Sequence, residues 1–435
     1  MEYVKFDSLR VTRPLGIITI LSSMGVLMDG YALSIFSTAY IYLKHTILSA
    51  AILVSLGSSA IYIGMLLGSL VFGNLSDRYG RKTIYTYDLA LTAVFLLLTG
   101  LSHNFYEFFA FQALAGVGIG ADYPISSSIQ AEFSPLRSRG RFLVFNIFSW
   151  TIGSIIFYAI SIPIVLFTGS LAWRVMYFTG AVIPVLVILS RRGIPESPYW
   201  LEGAGEEEKA REVVRDFGKY AGVENVKPPE VDRNIGVGSL RNMTLLVLFT
   251  SLAWFCYDVS SYGVWNYTPS IFISSSGTYV SSIVGTLLEE IPVIAGTLVC
   301  LALIERVGRR RLEYTGFLLA GVSLLAFALT SLRTGIPFLA TFFAFALMHL
   351  FHNIGPTNIT YLYPAELFPT RSRGTGMGLA TSASRVGAIL GVFAFPLLTS
   401  SLNISYGLLF FAVFEFIGFG VTFALAPETR GRPLA

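Results

Sequence analysis

Residues 131–140 read AEFSPLRSRG, and residues 365–374 read AELFPTRSRG, so that seven of the ten positions are identical. A second pair of stretches recurs at nearly the same separation along the chain. DRYGRK at 77–82 returns as ERVGRR at 305–310. A unit of roughly 200 residues is therefore present twice in this chain.

Almost everything between these repeated stretches is apolar. Hydrophobic residues make up 54% of the chain and charged residues 13%, whereas a typical soluble protein has about 25% charged residues. Twelve stretches approach the roughly 20 apolar residues that a helix needs to cross a bilayer, and six lie on each side of the polar stretch 191–241. We therefore predict an all-α membrane protein with twelve transmembrane helices in two pseudo-symmetric six-helix bundles. The bundles are expected at 1–192 and 242–435, with a cytoplasmic linker of short surface helices at 193–241.

The basic residues are distributed unevenly between the two sides of this predicted bundle. Of the 30 Lys and Arg residues, 26 lie at the termini or in loops that join an even-numbered span to the next odd-numbered one. Basic loops remain on the cytoplasmic side of a membrane. We expect a multi-pass protein of the plasma membrane with both termini in the cytoplasm. Because the basic residues are spread over seven stretches, the net charge of +4 does not indicate a nucleic-acid partner.

The loop between spans two and three reads GNLSDRYGRK at 73–82. It resembles the signature loop of the major facilitator superfamily, which implies that fold and transport by alternating access. The resemblance also implies that acids and arginines in the repeated loops latch the cytoplasmic ends of the two halves together and separate when the protein turns inward. The expected latch residues are Asp77, Arg81, Glu132, Arg139, Glu305, Arg309, Glu366 and Arg373. The alternative is that these residues serve only as topology charges and helix caps.

Other motifs narrow the resemblance to particular branches of the superfamily. PESPYWL at 195–201 and PETRG at 427–431 resemble loops of sugar porters and organic-ion transporters. GVGIGADYPIS at 116–126 and the Trp-x-x-x-Asp-x-x-x-Tyr pattern at 254–262 resemble the fourth and seventh helices of proton-coupled phosphate symporters. The segment from residue 353 to 389 is similar to their tenth and eleventh helices.

Several positions depart from that phosphate-symporter pattern. Arg385 replaces the usual lysine, and Thr357 stands where an asparagine is usual, with Asn358 one place later. An arginine at this position also resembles organic-anion transporters. The predicted function is therefore proton-coupled symport of a small anion. Phosphate is the first candidate substrate and a small organic acid is the second.

One set of residues is predicted to contact the substrate. Trp254, Asp258 and Tyr262 are spaced by four, which places them on one face of a helix. Arg385 can hold an anion with its planar guanidinium group. The predicted substrate residues are Tyr123, Trp254, Asp258, Tyr262, Arg385 and Asn358. Two alternatives stay open: an aromatic packing stripe around a paired acid, and a permanent ion pair between Arg385 and Asp258 or Asp29.

Acids within the apolar spans are candidates for proton coupling. A charge at mid-membrane costs about 2.5–3.5 kcal/mol, so such residues are usually functional. Asp29 and Asp122 are predicted to carry the coupling proton, because a buried acid that alternately faces water and a dry cavity can load and release one. A structural hydrogen-bonding role is the alternative. Asp88 is predicted as a proton-exit group or a partner for the motif arginines, and Glu289 and Glu290 receive no assigned role.

Other kinds of protein fit the sequence less well. His349 and His352 lie one turn apart, but no third metal ligand accompanies them, so we predict neither a metal nor a cofactor beyond the proton. The sequence shows no nucleophile–base pair of the kind that would indicate an enzyme. The expected partners are a small anionic substrate, protons and the lipid bilayer, and the expected state is a monomer. Two alternatives remain: a proton-coupled sugar transporter of the same fold, and a non-transporting receptor or channel.

Overall fold

The computed structural model describes residues 4–191, 194–223, 225–229, 238–269, 278–331, 338–402 and 404–434, and most of them are helical. Six long helices form the first half of the molecule. Pro14 lies in the first turn of the first helix, where its missing N–H costs no helical hydrogen bond. The six helices are α1 Arg13–Leu43, α2 Ala51–Tyr79, α3 Arg81–Leu101, α4 Phe105–Phe133, α5 Arg139–Thr168 and α6 Ala172–Arg191.

A short polar segment joins the two halves. It contains helices α7 Pro198–Ala204 and α8 Glu207–Ala221. Strand β2, Val226–Lys227, pairs in parallel with strand β1, Val4–Lys5, near the start of the chain. The segment is therefore attached to the N-terminal residues as well as to both halves. The boundary predicted between residues 192 and 193 lies outside the described residues.

The second half repeats the arrangement, with one interruption. Its helices are α9 Gly238–Trp265, α10 Tyr279–Val307, α11 Arg309–Ser331, α12 Phe338–Ile354, α13 Pro356–Leu367, α14 Arg373–Ser401 and α15 Ile404–Leu425. The sequence predicts one continuous span where α12 and α13 occur. The break falls at Gly355, because Pro356 cannot donate a backbone hydrogen bond and its ring clashes with the preceding turn. Together α12 and α13 form one interrupted span.

The helices match the predicted membrane spans. Among the described residues, nine helical stretches are long and apolar enough to cross a membrane, and one of these, at 139–190, contains both α5 and α6. Helix α4, which carries the buried Asp122 and Glu132, and the interrupted α12–α13 pair complete twelve spans. Twelve transmembrane helices in two six-helix halves are therefore confirmed, consistent with the repeat in the sequence.

Within each half, glycines allow one pair of helices to pack closely, and the two pairs are equivalent in the repeat. A Cβ atom on Gly153 of α5 would lie 1.9 Å from the backbone oxygen of Leu27 in α1. A Cβ atom on Gly387 of α14 would lie 2.4 Å from the backbone oxygen of Phe255 in α9. Small residues at such crossings let backbones touch in membrane bundles. The repeat is therefore visible in the helix packing as well as in the loops.

The two halves meet along α2 with α14 and along α5 with α10. Helix α2 can approach α14 because both carry glycine: a Cβ atom on Gly73 would lie 2.5 Å from the backbone oxygen of Gly374. We call this end of the bundle, which carries the repeated basic loops, the basic end. At the opposite end, the amide of Asn266 donates to the hydroxyl of Tyr62 at 2.8 Å, and Tyr267 bonds Ser58 at 3.0 Å. The halves therefore touch at both ends.

Candidate functional site

A cavity with about 860 Å³ of empty space lies between the halves. Its walls come from α4 and α5 in the first half and from α9, α10 and α12–α14 in the second. All six residues predicted to contact substrate line it: Tyr123, Trp254, Asp258, Tyr262, Asn358 and Arg385. The structure therefore brings the predicted substrate residues together in one place, although their roles stay predictions.

Arg385 lies at the centre of this set. Its Nη1 donates to Oδ2 of Asp258 at 3.1 Å, and the side chain is 1% exposed. The guanidinium carbon lies 4.7 Å from the ring centre of Tyr123, 5.3 Å from that of Tyr262 and 6.0 Å from that of Trp254. Aromatic faces stabilise a desolvated cation at such distances. The acid and the rings thus hold a buried guanidinium group at the wall of the cavity.

The α9 residues reach this point because of their spacing. Trp254, Asp258 and Tyr262 are four residues apart and project from one face of the helix. Tyr123 joins them from α4, and its ring packs 6.4 Å from that of Trp254. Tyr361 of α13 lies 6.1 Å from both rings. The aromatic cluster therefore spans the two halves, and Tyr361 is a member that the sequence did not single out.

Two acids of α10 also line the cavity. Glu290 accepts a hydrogen bond of 2.9 Å from the hydroxyl of Ser154 in α5, which joins the halves. Glu289 is 3% exposed, and within the described part of the chain neither of its carboxyl oxygens has a hydrogen-bond partner. The sequence feature that could have marked these residues as part of the site is the occurrence of two adjacent acids in an apolar span, just before Pro292.

The acids predicted to carry the proton do not line the cavity. Ser126 donates to Oδ2 of Asp122 at 2.7 Å and bonds the hydroxyl of Tyr85 at 2.8 Å. Asp29 and Asp122 both lie close enough to Tyr361 to interact with it electrostatically. Both acids are fully buried. They therefore lie near Tyr361, which lines the cavity, but are not lining residues themselves.

Asp88 is the third acid that the sequence analysis assigned to the proton pathway. Its Oδ1 accepts the backbone N–H of Leu89 at 2.7 Å, and it is fully buried in α3. A Cβ atom on Gly118 of α4 would lie 2.4 Å from the backbone oxygen of Asp88. The residue is therefore placed at the contact between α3 and α4.

Hydrogen bonds connect Tyr361 to the interior of the first half. Its hydroxyl donates to Oδ1 of Asn146 at 2.6 Å, across the boundary between the halves. Asn146 bonds the hydroxyl of Ser23 at 3.2 Å, and Tyr85 donates to the backbone oxygen of Ser22 at 2.8 Å. A polar network thus extends from the cavity wall towards Asp122.

The predicted latch residues gather at the basic end. Asp77 accepts the backbone N–H groups of Gly374 at 3.0 Å and Thr375 at 2.7 Å, which begin α14 in the other half. Glu305 accepts the N–H of Gly140 at 2.9 Å, at the start of α5. Asp77 and Glu305 are equivalent in the repeat, as are Gly374 and Gly140. Each half therefore caps a helix of the other.

The remaining latch residues are less symmetric. Arg373 donates to Glu132 across the halves at 2.6 Å, and Arg81 donates to the same carboxyl group at 3.3 Å. Arg309 pairs with Glu305 at 2.7 Å and Glu366 at 2.9 Å within the second half. Arg139 donates to the backbone oxygens of Ala131 and Arg432 at 3.2 and 3.3 Å. All eight residues thus lie at the basic end, and six of them bond across the halves: Asp77, Glu132, Arg373, Glu305, Arg139 through the backbone oxygen of Arg432, and Arg81 through the backbone oxygen of Thr370.

The Pro-Glu-Ser and Pro-Glu-Thr motifs have a structural role that the sequence did not indicate. Glu196 accepts the backbone N–H groups of Arg81 and Lys82 at the start of α3. Glu428 accepts those of Arg309 and Arg310 at the start of α11 in the same way. Burial raises the pKa of Glu196, against the lowering effect of the N–H groups it accepts. Each motif therefore caps the helix that follows a signature loop.

The two histidines have separate surroundings. His349 lines the cavity, whereas Nε2 of His352 bonds Oε1 of Glu415 in α15 at 2.9 Å. The ring of Tyr257, another cavity residue, packs 5.2 Å from that of His352. Sequence spacing alone did not reveal that Glu415 is the partner of His352.

Comparisons with known proteins agree with this geometry. The chain is 29% identical to the inner membrane metabolite transport protein YgcS of Escherichia coli, across 99% of this chain and 95% of the relative. It is 25% identical to the niacin transporter NiaP of Acinetobacter baylyi, across 86% and 85%. It is also 25% identical to the "Probable inorganic phosphate transporter 1-6" of Arabidopsis thaliana, across 87% and 82%.

A solved structure shares the fold. The proton:xylose symporter XylE of E. coli, bound to 6-bromo-6-deoxy-D-glucose, superposes with a TM-score of 0.82 at 19% identity, across 97% of each chain. The family model described as "Sugar (and other) transporter" matches residues 18–435. The chain therefore belongs to the sugar (and other) transporter family and is a transporter of the major facilitator superfamily.

Proposed function

We propose that this transporter is a symporter that moves a small organic acid together with protons. The observation that supports the proposal most directly is the position of Arg385. Among the cavity-lining residues that the structure describes, it is the one with a permanent positive charge. A guanidinium group binds a carboxylate through two parallel hydrogen bonds. In this proposal the carboxylate of the substrate takes the place of Asp258.

The lining of the cavity favours an organic acid over phosphate. The rings of Tyr123, Trp254 and Tyr262 surround the guanidinium group, and Trp150 and Trp265 also line the cavity. Ligand sites for small organic molecules are mostly apolar, with a few placed polar groups. Phosphate has no apolar surface to place against these rings. Phosphate, the first candidate substrate in the sequence analysis, is therefore the second candidate in this proposal.

Proton coupling is proposed for Asp29 and Asp122. Both acids adjoin Tyr361, whose ring also contacts Tyr123 and Trp254 at the substrate residues. Protonation removes the cost of a buried carboxylate, so the loaded transporter closes more readily than the unloaded one. Asp88 is proposed to release the proton later, at the basic end.

Transport follows from exchange between two orientations of the halves. We propose that the basic end faces the cytoplasm, where both termini also lie, and that the protein acts as a monomer in the plasma membrane. The latch bonds of Asp77, Glu132 and Glu305 hold this end closed while substrate enters from outside. They break when the halves rock, and the cavity then opens inward.

Purified protein in liposomes tests this proposal. Uptake of phosphate, small organic acids and hexoses is compared with an imposed inward proton gradient and without it. Organic acids should accumulate only when the gradient is present. Accumulation of hexoses alone, or of organic acids without any effect of the gradient, contradicts the proposal.

Sugar transport is the second candidate of the same fold. The amides of Asn353 and Asn358 and the indoles of Trp150, Trp254 and Trp265 line the cavity, and such groups also suit a neutral polyol. A receptor or channel is the candidate of a different class. Counterflow, in which unlabelled substrate inside liposomes drives entry of label, occurs only in a carrier. Its absence for every substrate class contradicts a transport function.

A further inference from the structure

We propose that Glu289 and Glu290 form an acidic pole of the cavity that binds a positively charged nitrogen, so that the transported organic acid is a zwitterion. This inference rests on the proposed function, because it adds a second recognition point to the carboxylate held by Arg385. The sequence analysis gave these acids no role, and neither the latch nor the proton pathway uses them.

The acidic pole is built into the wall of the cavity. Residues 286, 289, 290, 293 and 297 of α10 line it and recur at helical spacing along one side. Glu289 is 3% exposed, and within the described residues neither of its carboxyl oxygens has a hydrogen-bond partner. Glu290 is 5% exposed and is oriented by the hydroxyl of Ser154. A rigid helix therefore presents one free and one positioned carboxyl group to the cavity.

The acidic pole and Arg385 lie on different walls. Helix α10 packs against α5 and α12, whereas α14, which carries Arg385, packs against α2 and α9. The two groups therefore line the same cavity from different helices, and among the described residues Arg385 pairs with Asp258 rather than with either glutamate. A molecule that bridges them must carry complementary groups at its two ends.

The charges of the cavity support a cationic ligand group. Arg385 already has Asp258 as a partner at 3.1 Å. Arg385 is also the one Lys or Arg among the described lining residues, so no second basic side chain there compensates Glu289 and Glu290. A buried carboxylate is strongly disfavoured unless a charge or hydrogen-bond donor compensates it. A substrate with only a carboxylate satisfies Arg385 and leaves the acidic pole uncompensated, whereas a zwitterion satisfies both.

Pairs of probes that differ only by an ammonium group test the inference. 4-Methylbenzoate is compared with 4-(aminomethyl)benzoate, butyrate is compared with 4-aminobutyrate, and benzylamine serves as the amine without a carboxylate. Affinities are measured by thermal shift and by calorimetry on the purified full-length protein in detergent at one pH. The readout is the ratio of affinities within each pair, which does not depend on how tightly either member binds.

In the wild type we expect the zwitterion of at least one pair to bind about tenfold more tightly than its partner, as a charge-assisted hydrogen bond allows. E289Q should reduce this ratio to about one, and E290Q should reduce it partly. E313Q is the matched control, because Glu313 is an equally buried acid of the second half that does not line the cavity. It should keep the wild-type ratio.

Three results separate this inference from the proposed function. Equal affinities within both wild-type pairs, with binding that still requires Arg385, overturn the acidic pole and leave the organic-acid function in place. A ratio that E289Q and E313Q reduce equally also overturns the acidic pole. Tight binding of benzylamine that R385A does not weaken supports the acidic pole and contradicts the organic-acid function.

Discussion

Nη1 of Arg373 donates a hydrogen bond of 2.6 Å to Oε1 of Glu132, and this ion pair joins the two halves while both side chains are fully buried. The repeat contains the equivalent residues Arg139 and Glu366. Arg139 bonds backbone oxygens instead, and Glu366 pairs with Arg309 of its own half. The latch is therefore built from symmetric parts, but among the described residues its buried ion pair across the halves, Arg373 with Glu132, lacks a symmetric counterpart.

Replacement of Glu132 by Gln should open the basic end. The substitution leaves Arg373 buried without its acid and removes one of the two acids that pair with Arg81. Loss of one partner of a buried pair costs about 3–5 kcal/mol. Spin labels at the exposed residues Arg141 and Arg311, in a background without Cys256 and Cys300, measure the distance between the halves. The mean distance should increase. E366Q is the control, and an equal increase in that variant contradicts the special role of Glu132.

Asp77→Asn should slow transport more than Glu305→Gln. Asp77 accepts three hydrogen bonds from the other half, from the N–H of Gly374 and from the N–H and hydroxyl of Thr375. Glu305 accepts one, from Gly140. We expect initial uptake to fall at least tenfold in the Asp77 variant and a few-fold in the Glu305 variant, with substrate affinity retained in both. The reverse order of rates contradicts the assignment.

Replacement of Asp258 by Asn should tighten anion binding and slow release. The ion pair with Arg385 competes with an incoming carboxylate, and its removal frees the guanidinium group. Affinity for the transported acid should rise about tenfold, the equivalent of 1.4 kcal/mol. Arg385→Lys should weaken binding about tenfold, because an ammonium group lacks the planar donor pair. Weaker binding in the Asp258 variant contradicts displacement of this acid by substrate.

Asp29→Asn and Asp122→Asn should uncouple transport from protons. An asparagine keeps the size of the side chain but cannot carry a proton. Both variants should lose accumulation driven by a pH gradient and retain counterflow exchange of the substrate. Glu107→Gln, in the partly exposed first turn of α4, is the control and should behave like the wild type. Full gradient-driven uptake in the Asp29 variant shows that this residue does not couple.

Gly30→Ala should destabilise the first half. A Cβ atom at residue 30 would lie 1.9 Å from the backbone oxygen of Trp150, so α1 and α5 must separate. Overpacking of this kind costs about 1–3 kcal/mol. The melting temperature in detergent should fall by several degrees. Gly420→Ala is the matched control, because nothing lies within 4 Å of its Cβ position, and a similar fall in that variant contradicts the crossing as the cause.

Local patterns in the sequence were sufficient to locate the spans and to place three of the predicted substrate residues on one helix face. Apolar runs of membrane length predict helices in any tertiary context, since the bilayer demands that each helix satisfy its own backbone. The four-residue spacing of Trp254, Asp258 and Tyr262 likewise places them on one face wherever α9 lies. The partners of Glu132, Glu196 and Glu415 could not be predicted this way, because they come from distant helices.

The repeat and the hydrophobicity of the chain by themselves determined twelve spans, two halves and a cluster of loop charges, because these depend on neighbours along the sequence. The tertiary structure decided which charges meet. It paired Arg385 with Asp258, placed Asp29 and Asp122 near Tyr361, and brought Glu289 and Glu290 to the wall of the same cavity. Contacts of α2 with α14 and of α5 with α10 arise only when the two halves pack together, since residues far apart in the chain carry no common period.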